Sequence, residues 1–207
     1  MSLSQTRFDF VARERAIQAQ TDTLFLALKP SSATAAQIAA QAQRLMRDVN
    51  LAPPLIATDK LHVSLYAFGR YPNPPQWLIR TIDSSLSRFC HAPVEIGFDR
   101  LTFGFGGGAV VLRGVNREPL RALQTRLVAY LSSGRRTQNT REPHMTICYS
   151  PARLPEKQIE ATTWVATEIV LIHSRYGHRQ LGSWPLDSPM PTPLTTPVRP
   201  LQGELFA

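Results

Sequence analysis

The sequence predicts an α+β fold with a pseudo-twofold, two-lobed layout: antiparallel sheets lining a central cleft, with helices outside. Three observations carry this. Short apolar runs rich in β-branched and aromatic residues recur along the chain, each closed by Gly, Pro or polar residues. Three longer stretches between them repeat their apolar residues at helical spacing. The pattern His-x-(Ser/Thr)-aliphatic occurs twice, as His62-Val63-Ser64-Leu65 and His144-Met145-Thr146-Ile147, each time on a strand that follows a helix. No repeat is visible beyond those motifs.

Taken in order, residues 1–21 are polar and read as an N-terminal arm. Residues 22–187 read as one domain, and residues 188–207, with Pro189, Pro191, Pro193, Pro197 and Pro200, as a tail without strand or helix logic. Thr23–Lys29 is an apolar strand ended by Pro30. Ser31-Ser32 can cap a helix over 33–48, with Ile38, Leu45 and Val49 on one face. The first motif strand closes at Gly69. Pro72, Pro74 and Pro75 form a loop that opens a helix over 75–90, with Leu78, Ile82, Leu86 and Phe89 as its stripe. Val94–Phe98 alternates as a strand.

Gly104 and Gly106-Gly107-Gly108 lie in a stretch resembling a phosphate-cradling loop, but no Lys-Ser/Thr follows and Ala109–Arg113 reads as a strand. The stretch is therefore expected to be a hairpin connection. A helix over 118–133 carries Leu120, Leu123, Leu127 and Leu131 and stops at Gly134. A polar loop with Arg135, Arg136 and Arg141 leads into the second motif. Thr162–Ala166 follows, then strands at Glu168–Ser174 and Gln180–Leu186, joined through Tyr176 and His178.

Composition sets limits. The 207 residues suffice for one sizeable domain, and 43% hydrophobic with 18% charged residues is ordinary for a globular chain. No apolar run is long enough to span a membrane, and residues 1–20 lack the apolar centre of a secretory signal. Two cysteines, Cys90 and Cys148, make no disulfide framework and lack metal-ligand spacing, so a cytoplasmic location with reduced thiols is expected. Cys148 lies two positions after Thr146 and is expected on the same strand face. The formal charge of +8 favours a polyanionic partner.

The two motifs carry the chemistry. In a strand, residues i and i+2 share a face, so His62 emerges with Ser64 and His144 with Thr146. A hydroxyl can donate to an anionic oxygen, and an imidazole can give or take a proton near neutral pH. Two such pairs face to face would hold a phosphate and place a proton donor and acceptor on opposite sides of phosphorus, as in-line phosphodiester cleavage requires. His173 and His178 lack the pattern and read as structural or exposed.

The paired motifs resemble the H-x-(T/S)-x signatures of the 2H phosphoesterase superfamily. Within it, the chain is similar to the bacterial RNA 2',3'-cyclic phosphodiesterases, historically called 2'-5' RNA ligases. The likeness extends from Leu24–Pro30 through Arg100–Gly104 and Ala109–Gly114 to Glu168–Ser174 and Leu181–Leu186. It implies a LigT-like fold and metal-independent opening of a 2',3'-cyclic phosphate on an RNA end or nucleotide to a 2'-phosphate, with 2'-5' ligation as a possible reverse reaction. By the same resemblance His62 would be the proton donor, His144 the base, and Ser64 and Thr146 the phosphate ligands. No cofactor or metal is implied, and a monomer is expected. Arg141 is a candidate phosphate contact and Tyr176 a candidate base-stacking residue. One departure stands out: these enzymes commonly carry H-x-T-L-x-R, whereas here His144-Met145-Thr146-Ile147-Cys148-Tyr149 has no arginine. The alternatives are a phosphoesterase acting on another cyclic or linear nucleotide, a non-catalytic RNA- or nucleotide-binding module, and a two-histidine metal site lacking a third ligand.

Overall fold

A computed structural model describes residues 22–103, 108–114, 117–132, 142–150, 156–175 and 177–187. The predicted N-terminal arm and Pro-rich tail, Arg135, Arg136, Arg141 and Tyr176 lie outside the described residues, as does the glycine connection at 104–107.

Among the described residues, eight strands and three α-helices follow one another as β1 (Thr23–Leu28), α1 (Ser32–Asp48), β2 (Val63–Arg70), α2 (Gln76–Leu86), β3 (Val94–Phe103), β4 (Ala109–Arg113), α3 (Glu118–Ser132), β5 (Met145–Tyr149), β6 (Lys157–Ala166), β7 (Glu168–His173) and β8 (Arg179–Pro185). The strands form one sheet in the order β6-β3-β4-β5-β2-β1-β7-β8. Every pairing is antiparallel. The halves β6-β3-β4-β5 and β8-β7-β1-β2 mirror each other in sequence of roles, and they meet through a single registered pair, Val63 with Met145. That junction is the pseudo-twofold expected from the repeated motif.

Helices form where the sequence places their signals. The Ser31 hydroxyl accepts from the Thr34 backbone N–H at 3.2 Å and opens α1. The apolar stripe of α1 (Ala35, Ile38, Ala42, Leu45, Met46) enters the core together with Ile82 and Leu86 of α2 and Leu120, Leu123 and Leu127 of α3. These meet Leu24, Leu26, Leu28, Val63, Leu65, Val110, Leu112, Met145 and Ile147 in one apolar cluster. All three helices thus bury their stripes in the cluster fed by one sheet face. The opposite face carries a smaller cluster, Phe25, Ala27, Val170 and Ile172. Polar ties fix two helices: buried Gln124 of α3 donates to the Leu65 carbonyl of β2 at 3.1 Å, and Trp184 of β8 donates to Asp83 of α2 at 3.1 Å.

Two details differ from the sequence reading. Val94–Phe98 and the strand before the glycines are one continuous β3, bulged between Phe98 and Arg100. Thr162–Ala166 is the end of a ten-residue edge strand, β6, whose polar first half hides its strand character. Its inward Thr162 and the Glu160 carbonyl are held by Gln41 of α1 at 2.7 and 2.6 Å.

Candidate functional site

Each motif histidine sits one residue ahead of its strand. A 3-10 turn, Thr58–Lys60, delivers His62 to β2. The Lys60 carbonyl accepts a hydrogen bond from His62 Nδ1 at 2.8 Å. The second motif repeats the arrangement: His144 Nδ1 donates to the Glu142 carbonyl, two residues back, also at 2.8 Å. A carbonyl only accepts, so both rings carry hydrogen on Nδ1 and leave Nε2 as the reactive nitrogen.

Alternation then separates the motif residues. Val63, Leu65, Met145 and Ile147 are buried in the core. Their neighbours face away from it: His62, His144 and Thr146 half-buried, Ser64 exposed. Because Val63 pairs with Met145, the antiparallel register carried one residue outward sets His62 across from Thr146 and Ser64 across from His144. By register and alternation, each imidazole lies on the same sheet face as the other strand's hydroxyl at the seam of the two halves. Beyond that pair β2 and β5 part company, and Leu55 and Ile56 take up the freed edge of β5, bridging to Cys148 and bonding to the Ile147 carbonyl at 2.7 Å.

The electrostatics of His62 follow from its seat. Burial pushes its pKa below the ordinary 6.5, the Lys60 hydrogen bond opposes this, and the fields of His144 and Lys29 add to the lowering.

A third histidine stands there. His178, reached through the β7–β8 turn, places its ring edge-on to His62 with centroids 4.9 Å apart. Phe25 completes a triangle, at 5.1 Å from His62 and 5.8 Å from His178. Burial, followed by the fields of His62, Lys60 and Lys29, pushes the His178 pKa down to about 4, against a smaller opposing effect of Asp59. Its Nδ1 is buried without a hydrogen-bond partner among the described residues. His178, read from the sequence as structural or exposed, is thus half-buried and packed against His62 and Phe25. It lacks a His-x-hydroxyl pattern, and only the strand order, which returns the β7–β8 hairpin beside β1, places it against His62.

On the other motif, the carboxylate of Glu142 meets Arg113 at 3.3 Å and also pairs with Arg117. Arg113 ends β4, and since Leu112 pairs with Met145 it lies beside His144 in register. A cation of the neighbouring strand thus stands near the second motif, whose own sequence lacks the arginine seen in similar enzymes.

Cys148 is not on the Thr146 face. Val111 pairs with Thr146 but Val110 with Cys148, so Ile147 is an extra residue in β5. The bulge turns both Ile147 and Cys148 into the core, where the thiol lies 3.8 Å from the sulfur of Met46 and its pKa is pushed up to about 11 by burial. His173 is structural, as expected: it is buried and donates from Nε2 to the Tyr71 carbonyl at 2.7 Å. Among the described residues no group of three or more His, Cys, Asp or Glu is arranged to hold a metal ion. A concavity of about 610 Å³ lined by Arg121, Gln124 and Thr125 of α3 and by Glu142 and Pro143 includes neither motif histidine, and the chemistry-bearing groups lie elsewhere.

Comparison with known proteins gives a family model, described as the 2'-5' RNA ligase superfamily, that matches residues 30–177. Among solved structures, one described as a phosphoesterase is similar at a TM-score of 0.64 with 17% identity, covering 82% of this chain and 100% of the other. E. coli LigT complexed with 3'-AMP gives a TM-score of 0.62 at 18% identity, covering 81% and 99%. A Thermus thermophilus protein, TT0787, gives 0.59 at 20%, covering 80% and 98%. No curated protein matches the chain in sequence.

Proposed function

The chain belongs to the 2'-5' RNA ligase superfamily, and from that premise we propose that it hydrolyses 2',3'-cyclic phosphate ends of RNA, or the corresponding nucleotides, to 2'-phosphates. The observation that carries this reading is the doubled seat: two histidines, each with Nδ1 tied to the carbonyl two residues back, each across the seam from the other motif's hydroxyl.

Ser64 and Thr146 donate to the non-bridging oxygens of the cyclic phosphate. His144 Nε2 takes a proton from water as its oxygen attacks phosphorus. The bond from phosphorus to O3' breaks, and His62 Nε2 gives its proton to O3', leaving a 2'-phosphate and a free 3'-hydroxyl. The assignment of donor and base follows the family resemblance. Burial lowers the His62 pKa, and the negative charge of the bound phosphate favours the protonated ring, so the donor is armed by its substrate. Arg113 and Arg117 share the single carboxylate of Glu142, and the net positive charge of this cluster supplies the nearby field. The 3'-AMP held by the similar LigT structure supports a nucleotide as the substrate class.

The test is hydrolysis of an RNA oligomer ending in 2',3'-cyclic phosphate, in EDTA, by the wild type and by His62→Ala and His144→Ala. A 2'-phosphate product is expected, with each variant slower by roughly 10²–10⁴-fold. Absence of wild-type turnover, or full activity in either variant, refutes the reading.

A further inference from the structure

We propose that His178 is a positioning residue for His62: its ring edge and the Phe25 ring hold the His62 imidazole in one orientation and shield it from water. The proposal rests on the reading of His62 as a proton donor and adds a residue outside both motifs.

The hydrogen bond from Nδ1 to the Lys60 carbonyl settles which nitrogen of His62 carries hydrogen, but a single bond lets the ring swing about it. Two further ring contacts remove that freedom. The interplanar angles are 76° to His178 and 42° to Phe25, so the neighbours confine the imidazole from different directions. Edge-on contact of this kind is favourable between rings. Phe25 is itself anchored in the buried cluster with Ala27, Val170 and Ile172, and His178 is fixed to Phe25 at 5.8 Å. The wall is therefore rigid.

Its neutrality matters as much as its shape. A cation at that distance would drive the proton from His62. The buried, unpartnered Nδ1 and the low His178 pKa agree that this ring stays uncharged at neutral pH. A buried polar atom left unsatisfied in this way is uncommon. The other groups acting on the pair are Lys29 after β1, Asp59 and Lys60 in the 3-10 turn, and His144 ahead of β5. All remain in place in the variants below.

Two measurements test the proposal. NMR titration of the His62 ring needs no substrate. His178→Ala, which opens the wall, should move the His62 midpoint up toward 6.5, and Phe25→Leu, which thins its other side, should move it the same way. His178→Phe should leave it at or below the wild-type position. Kinetics on the cyclic-phosphate RNA should show His178→Ala losing roughly 10–10²-fold in kcat, the scale of a misplaced catalytic group, with KM little changed and His178→Phe restoring most of the rate. An unmoved midpoint in both His178→Ala and Phe25→Leu overturns the proposal. So does a rise in KM at unchanged kcat, which marks direct substrate contact, or a His178→Phe variant as slow as His178→Ala. If the wild type cleaves no cyclic phosphate, the function fails while the titration still decides the positioning.

Discussion

Acid should weaken the fold through His178 by an amount the structure sets. In the unfolded chain this imidazole takes up a proton near 6.5, whereas in the fold it does so only at about 4. Between those values the unfolded chain holds a proton the folded one refuses, so stability is complete above 6.5 and is lost as pH falls toward 4. The interval, at about 1.4 kcal/mol per pH unit, amounts to at most about 3 kcal/mol, and solvent screening of a half-buried ring reduces it. His178→Phe removes the titration while keeping a ring against Phe25 and His62. His62, also held below its ordinary value, remains in both proteins, so the difference between them isolates the turn histidine. Urea unfolding at pH 7, 5.5 and 4 is the assay. The stability of the wild type relative to His178→Phe should fall by up to about 3 kcal/mol over that range. Parallel curves would refute the argument, because they would mean that the folded His178 accepts its proton as readily as the unfolded one.

Three further outcomes follow from named contacts. Ser64→Ala and Thr146→Val each delete a hydroxyl to which the proposed function gives a phosphate oxygen, a contact of about 1.5–3 kcal/mol, so kcat/KM should fall roughly 10–10²-fold in each while thermal stability holds. Cys148, buried with a thiol pushed up to about 11, should resist iodoacetamide in the native protein, and equal labelling of Cys90 and Cys148 would contradict its core placement. Gly108→Ala puts a methyl 2.5 Å from the Ser150 carbonyl oxygen at a φ of +74°. The left-handed backbone alone costs about 1–2 kcal/mol, and the clash strains the Ser150 N–H bond to the Gly108 carbonyl. A melting temperature lower by at least about 2 °C is expected, and an unchanged one would contradict the contact.

How much of this was legible in the sequence depends on the range over which each feature is determined. Helix stripes and capping are local, and Ser31, Ile38, Leu45, Ile82, Leu86, Leu123 and Leu127 do what their spacing says. The motif faces follow from alternation, which holds for Val63 and Leu65. Alternation fails at Cys148 because a bulge is set by the partner strand: only the register of β4 against β5 shows that Ile147 is extra. The first half of β6 escaped for a related reason. It lies at the sheet edge, where one side needs no apolar residues, and its polar residues pair with Arg100 and Leu101 of β3. His178 was least legible of all, since its contact with His62 joins residues from opposite ends of the domain, and no local pattern records such a meeting.

The economy of the site lies in its seam. Had β2 and β5 paired along their full lengths, the two hydroxyl-imidazole pairs would lie on a continuous ladder with no room between them. A single registered pair at Val63 and Met145 is enough to fix which hydroxyl faces which histidine, since a slip of one residue would turn His62 and His144 into the core and Val63 and Met145 out of it. Register is held by burial of Val63 and Met145, both fully enclosed, rather than by a long hydrogen-bond ladder. Specificity of the reacting geometry is thus carried by the core face of the same two residues that separate the histidines from their hydroxyls.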